Sequence, residues 1–168
     1  IWALWIWRGG ANFLKGNLLI SHNRAGKEAL QHHLLECDML FQPRLSSRVA
    51  ISEYVEKLFR SAERFELWIE DDLVGLVAAY VNDPSRQNAY ITSVSVLAPW
   101  QGAGLAGKLL SFCVEHITRA AFSSIRLEVA QDNISAIRLY ERLRFKIIES
   151  NRSTLIMAVD LNPRLNND

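Results

Sequence analysis

The sequence is short of the features that mark several common functional classes. It holds two cysteines, Cys37 and Cys113, in 168 residues. Both fall in helix-like stretches, so no disulfide framework is expected, and a reducing, cytoplasmic setting fits better. Nineteen basic and 18 acidic residues leave a net charge of +1, which gives no reason to expect a nucleic-acid or anionic-membrane partner. The histidines His22, His32, His33 and His116 show no metal-ligand spacing, and adjacent His32 and His33 diverge around a helix, so no metal is predicted. Nor is there a long apolar run. Ile1–Trp7 is too short to span a bilayer and has neither the basic flank nor the cleavage site of a signal peptide. Its tryptophans are expected to pack, either on their own domain or in a contact between two copies.

What is present fits one domain, with 49% hydrophobic and 22% charged residues. We read residues 1–15 as an apolar extension (an upstream extension or a vector-derived remnant), 16–162 as the globular domain and 163–168 as a polar tail. Leu18–Ile20 reads as a first strand. Asn23 is expected to cap a helix running to about Phe41, and Ile51, Tyr54, Val55, Leu58 and Phe59 mark a second. Phe65 to Ile69, Leu73 to Val81 and Tyr90 to Val96 are strands separated by the turns Asp71-Asp72 and Asn82–Ser85, which predicts an antiparallel meander. Ile125, Leu127 and Val129 alternate in a fifth strand entered through a helix, as in a parallel crossover. A helix from Asn133 to Leu143 and strands over Phe145–Glu149 and Thr154–Leu161 complete an α/β chain. The prediction is a mixed, mostly antiparallel sheet of seven strands with four helices on both faces.

The informative stretch runs from Tyr90 to Ala121. Its β-branched strand stops at Pro99 and passes through Gln101-Gly102-Ala103-Gly104-Leu105-Ala106-Gly107 into a helix with Leu109, Leu110, Cys113, Val114 and Ile117 on one side. Glycines that let the backbone approach a ligand, followed by the unpaired amides of a helix start, form a cradle for a phosphate or pyrophosphate. The competing reading is a tight turn and nothing more. The run is neither a Walker A loop nor the dinucleotide fingerprint.

Gln101-x-x-Gly104-x-Ala106 after a Val-x-Val strand end and a proline resembles the acyl-CoA loop of the GNAT superfamily of N-acetyltransferases. Asn133-x-x-Ala136-x-x-Leu139-Tyr140-Glu141-x-x-x-Phe145 resembles that superfamily's following signature, and the likeness covers roughly 65–159. It implies acetyl-CoA as co-substrate, its pantetheine lying between the fourth and fifth strands. Val94, Ser95 and Val96 would then supply main-chain groups, including an oxyanion donor. Gln101, Gly102, Ala103, Gly104, Leu105, Ala106 and Gly107 would hold the diphosphate, and Asn133 and Ala136 would meet the pantetheine arm. Tyr140 matches the tyrosine that protonates the departing thiolate. A phenol suits that task because it stays protonated at neutral pH, although spacing alone equally describes a core tyrosine.

Glu128, a carboxylate in an otherwise apolar strand, resembles the base of the ribosomal-protein alanine N-acetyltransferase branch. A salt bridge with Arg126 or Arg138, or a solvated edge, accounts for it equally well. Cys113, on an apolar helix face, reads as a small hydrophobe rather than a nucleophile, which favours direct transfer in a ternary complex. Arg144 stands where the family usually has glycine, so the turn after Leu143 is expected to differ. The implied activity is acetyl transfer to a primary amine of a small molecule or peptide. The alternatives are an acyl-CoA sensor without turnover, or an O- or longer-chain acyltransferase. The acceptor groove would be shaped by Phe41–Ser46 and Ser150–Ser153, neither strongly acidic, so a polyamine is not specifically indicated. An exposed strand edge and the tryptophan-rich start suggest a homodimer.

Overall fold

The computed structural model describes residues 17–161, so the expectations for 1–15 and 163–168 lie outside the described residues. The elements in chain order are β1 (Leu18–His22), α1 (Lys27–Cys37), α2 (Ile51–Ser61), β2 (Glu63–Ile69), β3 (Asp72–Tyr80), β4 (Asn88–Val96), α3 (Leu105–Arg119), β5 (Ser124–Ala130), α4 (Ile134–Arg142), β6 (Lys146–Ser150) and β7 (Thr154–Asp160). They build one seven-stranded sheet in the order β1-β2-β3-β4-β5-β7-β6, antiparallel except where β4 meets β5.

Helices cover both faces because both carry apolar side chains. On one face Leu109, Leu110, Cys113 and Ile117 of α3 pack on Phe65, Leu67, Val77, Ile125 and Leu127. On the other, Leu30 and Leu34 of α1 and Val55 and Leu58 of α2 meet Trp68, Leu76 and Ala78. Among the described residues no helix is long and apolar enough to cross a membrane.

Two local expectations are corrected. Asn23 does not cap α1, which begins at Lys27 after Gly26. Asn23 instead takes a left-handed backbone (φ 54°) and closes against β2, its Oδ1 accepting from the Arg64 amide at 2.8 Å and its own amide donating to the Arg64 carbonyl at 2.8 Å. Second, the turn after α4 keeps its left-handed form without glycine. Arg144 sits at φ 67°, its amide donates to the Glu141 carbonyl at 2.9 Å, and the Phe145 amide donates to that of Tyr140 at 3.1 Å. This is a Schellman closure built on a residue with a Cβ.

Candidate active site

The register of β4 creates an opening. Against β3, Ala78 pairs with Ser93 and Ala79 with Ile91, so Thr92 is an extra, bulged residue. A bulge bends its strand and raises local twist. On its other side β4 pairs with β5 from Asn88↔Ser124 only to Ile91↔Leu127. Beyond that pair β5 stays bonded to β7 through Glu128↔Ile156, Val129↔Leu155 and Ala130↔Thr154. The two central strands therefore fork at the bulge, and Val94–Val96 present one backbone edge that no described strand fills.

The glycine loop lies just past the fork. A 3₁₀ turn, Ala98–Trp100, reverses the chain, and the Gln101 side chain donates to the Val96 carbonyl at 2.9 Å, tying the loop to β4. Gln101 thus acts on the protein through its amide group, a role the motif alone did not specify. Gly102 and Gly104 take left-handed backbones (φ 82° and 73°), and a Cβ at either would meet nothing within 4 Å. The space over the loop is open. Gly104 is the N-cap of α3 without a side-chain bond, and Lys108 is the first residue whose amide returns to it, at 3.2 Å. The amides of Leu105, Ala106 and Gly107 are accordingly those that helix geometry leaves for an external acceptor. A Cβ at Gly107 would stand 3.4 Å from Leu139 Cδ1, ordinary van der Waals contact, so α4 approaches α3 at this point.

One residue beyond Leu139, Tyr140 is buried in the same core cluster as Leu105, with Val94 and Ala136 packed against it. Burial pushes its phenol up to about 12. Among the described residues its hydroxyl has no hydrogen-bond partner, and it is not sealed from solvent. Asn133 caps α4, its Oδ1 accepting from the Ala136 amide at 3.2 Å. The Ala136 amide is therefore occupied within the protein, and only the Asn133 side-chain amino group is left to face outward.

Glu128 is the residue directly after the last β4–β5 pair, so it stands at the fork. It is exposed, on the face opposite Leu127 and Val129. The argument that a carboxylate is costly to bury in this strand therefore does not apply. Burial, and then the charge of Glu128, raise the phenol of nearby Tyr90. Cys113 is fully buried, and burial pushes its thiol up, which leaves it inert as a nucleophile.

Sequence reasoning missed two neighbours of the fork. The Tyr54 hydroxyl lies 3.2 Å from the Thr92 carbonyl and 3.1 Å from Thr92 Oγ1, so α2 holds the bulge. The signal was hidden because Tyr54 also fits the apolar periodicity of α2. Ser95 donates to His33 on α1, a pairing across 62 residues that no local pattern reveals. The segments 41–44 and 152–154 do come together, enclosing with 130–132 a cleft of about 740 Å³ beyond the end of β5. It carries Arg44 and Arg152 against Asp132. His22, Glu63 and His116, remote in sequence, are also gathered by the fold, with one ligand atom from each lying within 4.8 Å of the others.

The family model described as "Acetyltransferase (GNAT) family" matches residues 28–145. The chain is 30% identical over 91 residues to a mycothiol acetyltransferase of Corynebacterium efficiens, covering 54% of this chain and 30% of that protein. It is 31% identical over 86 residues to a spermine/spermidine N(1)-acetyltransferase of Bacillus subtilis, covering 48% of this chain and 57% of that one. It thus spans between about a third and just over half of the curated relatives it matches. Among solved structures, aminoglycoside 6'-acetyltransferase type Ii superposes with a TM-score of 0.71 at 17% identity, covering 87% of this chain and 99% of the other, a likeness of fold.

Proposed function

Since the chain belongs to the acetyltransferase (GNAT) family, we propose that it is an acetyl-CoA-dependent N-acetyltransferase moving the acetyl group directly to a primary amine within a ternary complex. The observation that carries this reading is the fork between β4 and β5 opening beside an unobstructed glycine loop at the start of α3. The amides of 102–107 suit a diphosphate, where they add hydrogen bonds to the positive end of the α3 dipole. The unfilled edge of Val94–Val96 suits the amide groups of pantetheine, which bond to it as a further strand would. A main-chain N–H there would stabilise the tetrahedral oxyanion. Asn133 and Ala136 border the pantetheine arm.

Glu128, at the fork and open to solvent, takes the ammonium proton, directly or through water. The free amine attacks the thioester carbonyl, the C–S bond breaks, the Tyr140 hydroxyl protonates the thiolate, and the proton lost by the newly acylated nitrogen restores the phenol. Cys113 takes no part, consistent with direct transfer. The acceptor enters through the cleft between Phe41–Arg44 and Arg152–Thr154. Two arginines against one aspartate favour an amine that also bears a carboxylate or phosphate, and disfavour a polycation. Acetyl-CoA-dependent thiol release with a panel of amino acids, peptides, amino sugars and polyamines tests the reading. Turnover with an anion-bearing amine is expected. Thermal stabilisation by CoA without turnover of any amine would leave the sensor reading in its place.

A further inference from the structure

His22 ends β1, Glu63 begins β2, and His116 lies in the last turn of α3. The His22 and His116 rings have centroids 4.5 Å apart, and Phe65 stacks on the first at 5.0 Å and meets the second edge-on at 5.3 Å. Glu63 Oε2 lies 2.6 Å from His22 Nε2 and accepts from Asn23 Nδ2 at 2.7 Å. A histidine–carboxylate ion pair explains His22 but not His116, whose ring nitrogens have no hydrogen-bond partner among the described residues. Placing a second imidazole against the first is unfavourable if both are protonated. It becomes favourable if the two share a cation.

From this geometry we propose that His22, Glu63 and His116 bind one divalent cation of the zinc class. Two imidazoles and a carboxylate match the donor preference and ligand count of three-residue zinc sites. The ion would take the place of the proton shared between His22 Nε2 and Glu63 Oε2. The outer shell is present too: Asn23 orients the carboxylate, and Phe65 walls the site with an apolar surface. A recess of about 440 Å³ adjoins the site, lined in part by Glu63, Asp83, Arg86 and His116, with room for a water or small anion as fourth ligand. The ion would staple β1, β2 and the end of α3. His116 lies 12 residues after Gly104, which at 1.5 Å per helical residue is about 18 Å from the glycine loop. The role is structural, independent of acetyl transfer.

The test is zinc titration of the untagged, chelator-dialysed chain in competition with a chromophoric chelator. One equivalent is expected to bind, and His116→Ala is expected to weaken it at least about ten-fold, the lower bound for disturbing such a shell. Asn23→Ala should fall within about 10–100-fold. His32→Ala, which removes the exposed His32–Glu36 pair, should change nothing. Residues 1–16 contain no histidine, cysteine or carboxylate side chain to confuse the count. Cobalt(II) added to the unmutated chain gives a readout without any variant, since tetrahedral sites absorb strongly in the visible. Absence of both stoichiometric zinc binding and a tetrahedral cobalt spectrum would overturn the proposal. So would unchanged affinity in folded His116→Ala and His22→Gln chains.

Discussion

Ser95 of β4 donates its hydroxyl to Nε2 of His33 at 2.8 Å, while the opposite ring nitrogen, Nδ1, donates to the Leu73 carbonyl at 2.8 Å. A carbonyl can only accept, so the proton sits on Nδ1 and His33 is held neutral. Burial lowers its pKa from the usual 6.5. In acid the unfolded chain therefore binds a proton that the folded chain refuses. Stability from this group is fully present above about pH 6.5 and is lost as pH falls through the lower folded value, by at most about 1.4 kcal/mol per pH unit. Urea unfolding of His33→Gln at several pH values should show a shallower acid-side decline than the unmutated chain. His116 contributes a slope of the same sign in both proteins, so the difference isolates His33.

Replacing Tyr140 by Phe removes the thiolate's proton source and little volume. The expected outcome is a fall in kcat of about 10²-fold or more with the KM for acetyl-CoA little changed. Steady-state thiol release checks it, and an unaltered kcat would return Tyr140 to the core.

For Glu128→Gln, kcat/KM should fall by about 10²–10⁴-fold, read from steady-state thiol release. The side chain is exposed, so the fold should be undisturbed. If kcat/KM is unchanged in the variant, water rather than this carboxylate removes the proton.

At Arg144 the backbone is left-handed, a conformation that costs a residue with a Cβ about 1–2 kcal/mol and glycine almost nothing. Arg144→Gly should raise the unfolding free energy by about 1 kcal/mol, read from the urea midpoint, without altering turnover.

Much of the fold was readable because periodicity reports burial. Ile125, Leu127 and Val129 alternate in sequence and are buried as the alternation requires, and the α3 stripe packs as its spacing predicts. What the sequence hid depends on partners far along the chain. Glu66 lies between Phe65 and Leu67, where strand alternation predicts an exposed side chain, yet it is fully buried. Its carboxylate accepts from Ser21 Oγ at 2.8 Å and from the Arg24 and Ala25 amides at 2.9 Å. Those bonds organise the β1–α1 connection, which is why α1 starts later than a local capping rule implied. At the candidate site the loop residues were recognisable from glycine spacing. The Thr92 bulge was not, because register is a property of strand pairs. His22 and His116 likewise meet only after the sheet has formed.

The hydrogen at Gly107 has a mechanical meaning. A Cβ added there would stand 3.4 Å from Leu139 Cδ1, ordinary van der Waals contact, so the loop-bearing helix and the phenol-bearing helix approach each other at this point with room for one methyl group. The start of the nucleotide-facing helix and the helix carrying the phenol are thus neighbours at one residue of the glycine loop, where added bulk would be felt by both. An alanine there fits against Leu139, whereas the branches of a valine would reach past that contact and crowd the neighbouring helix.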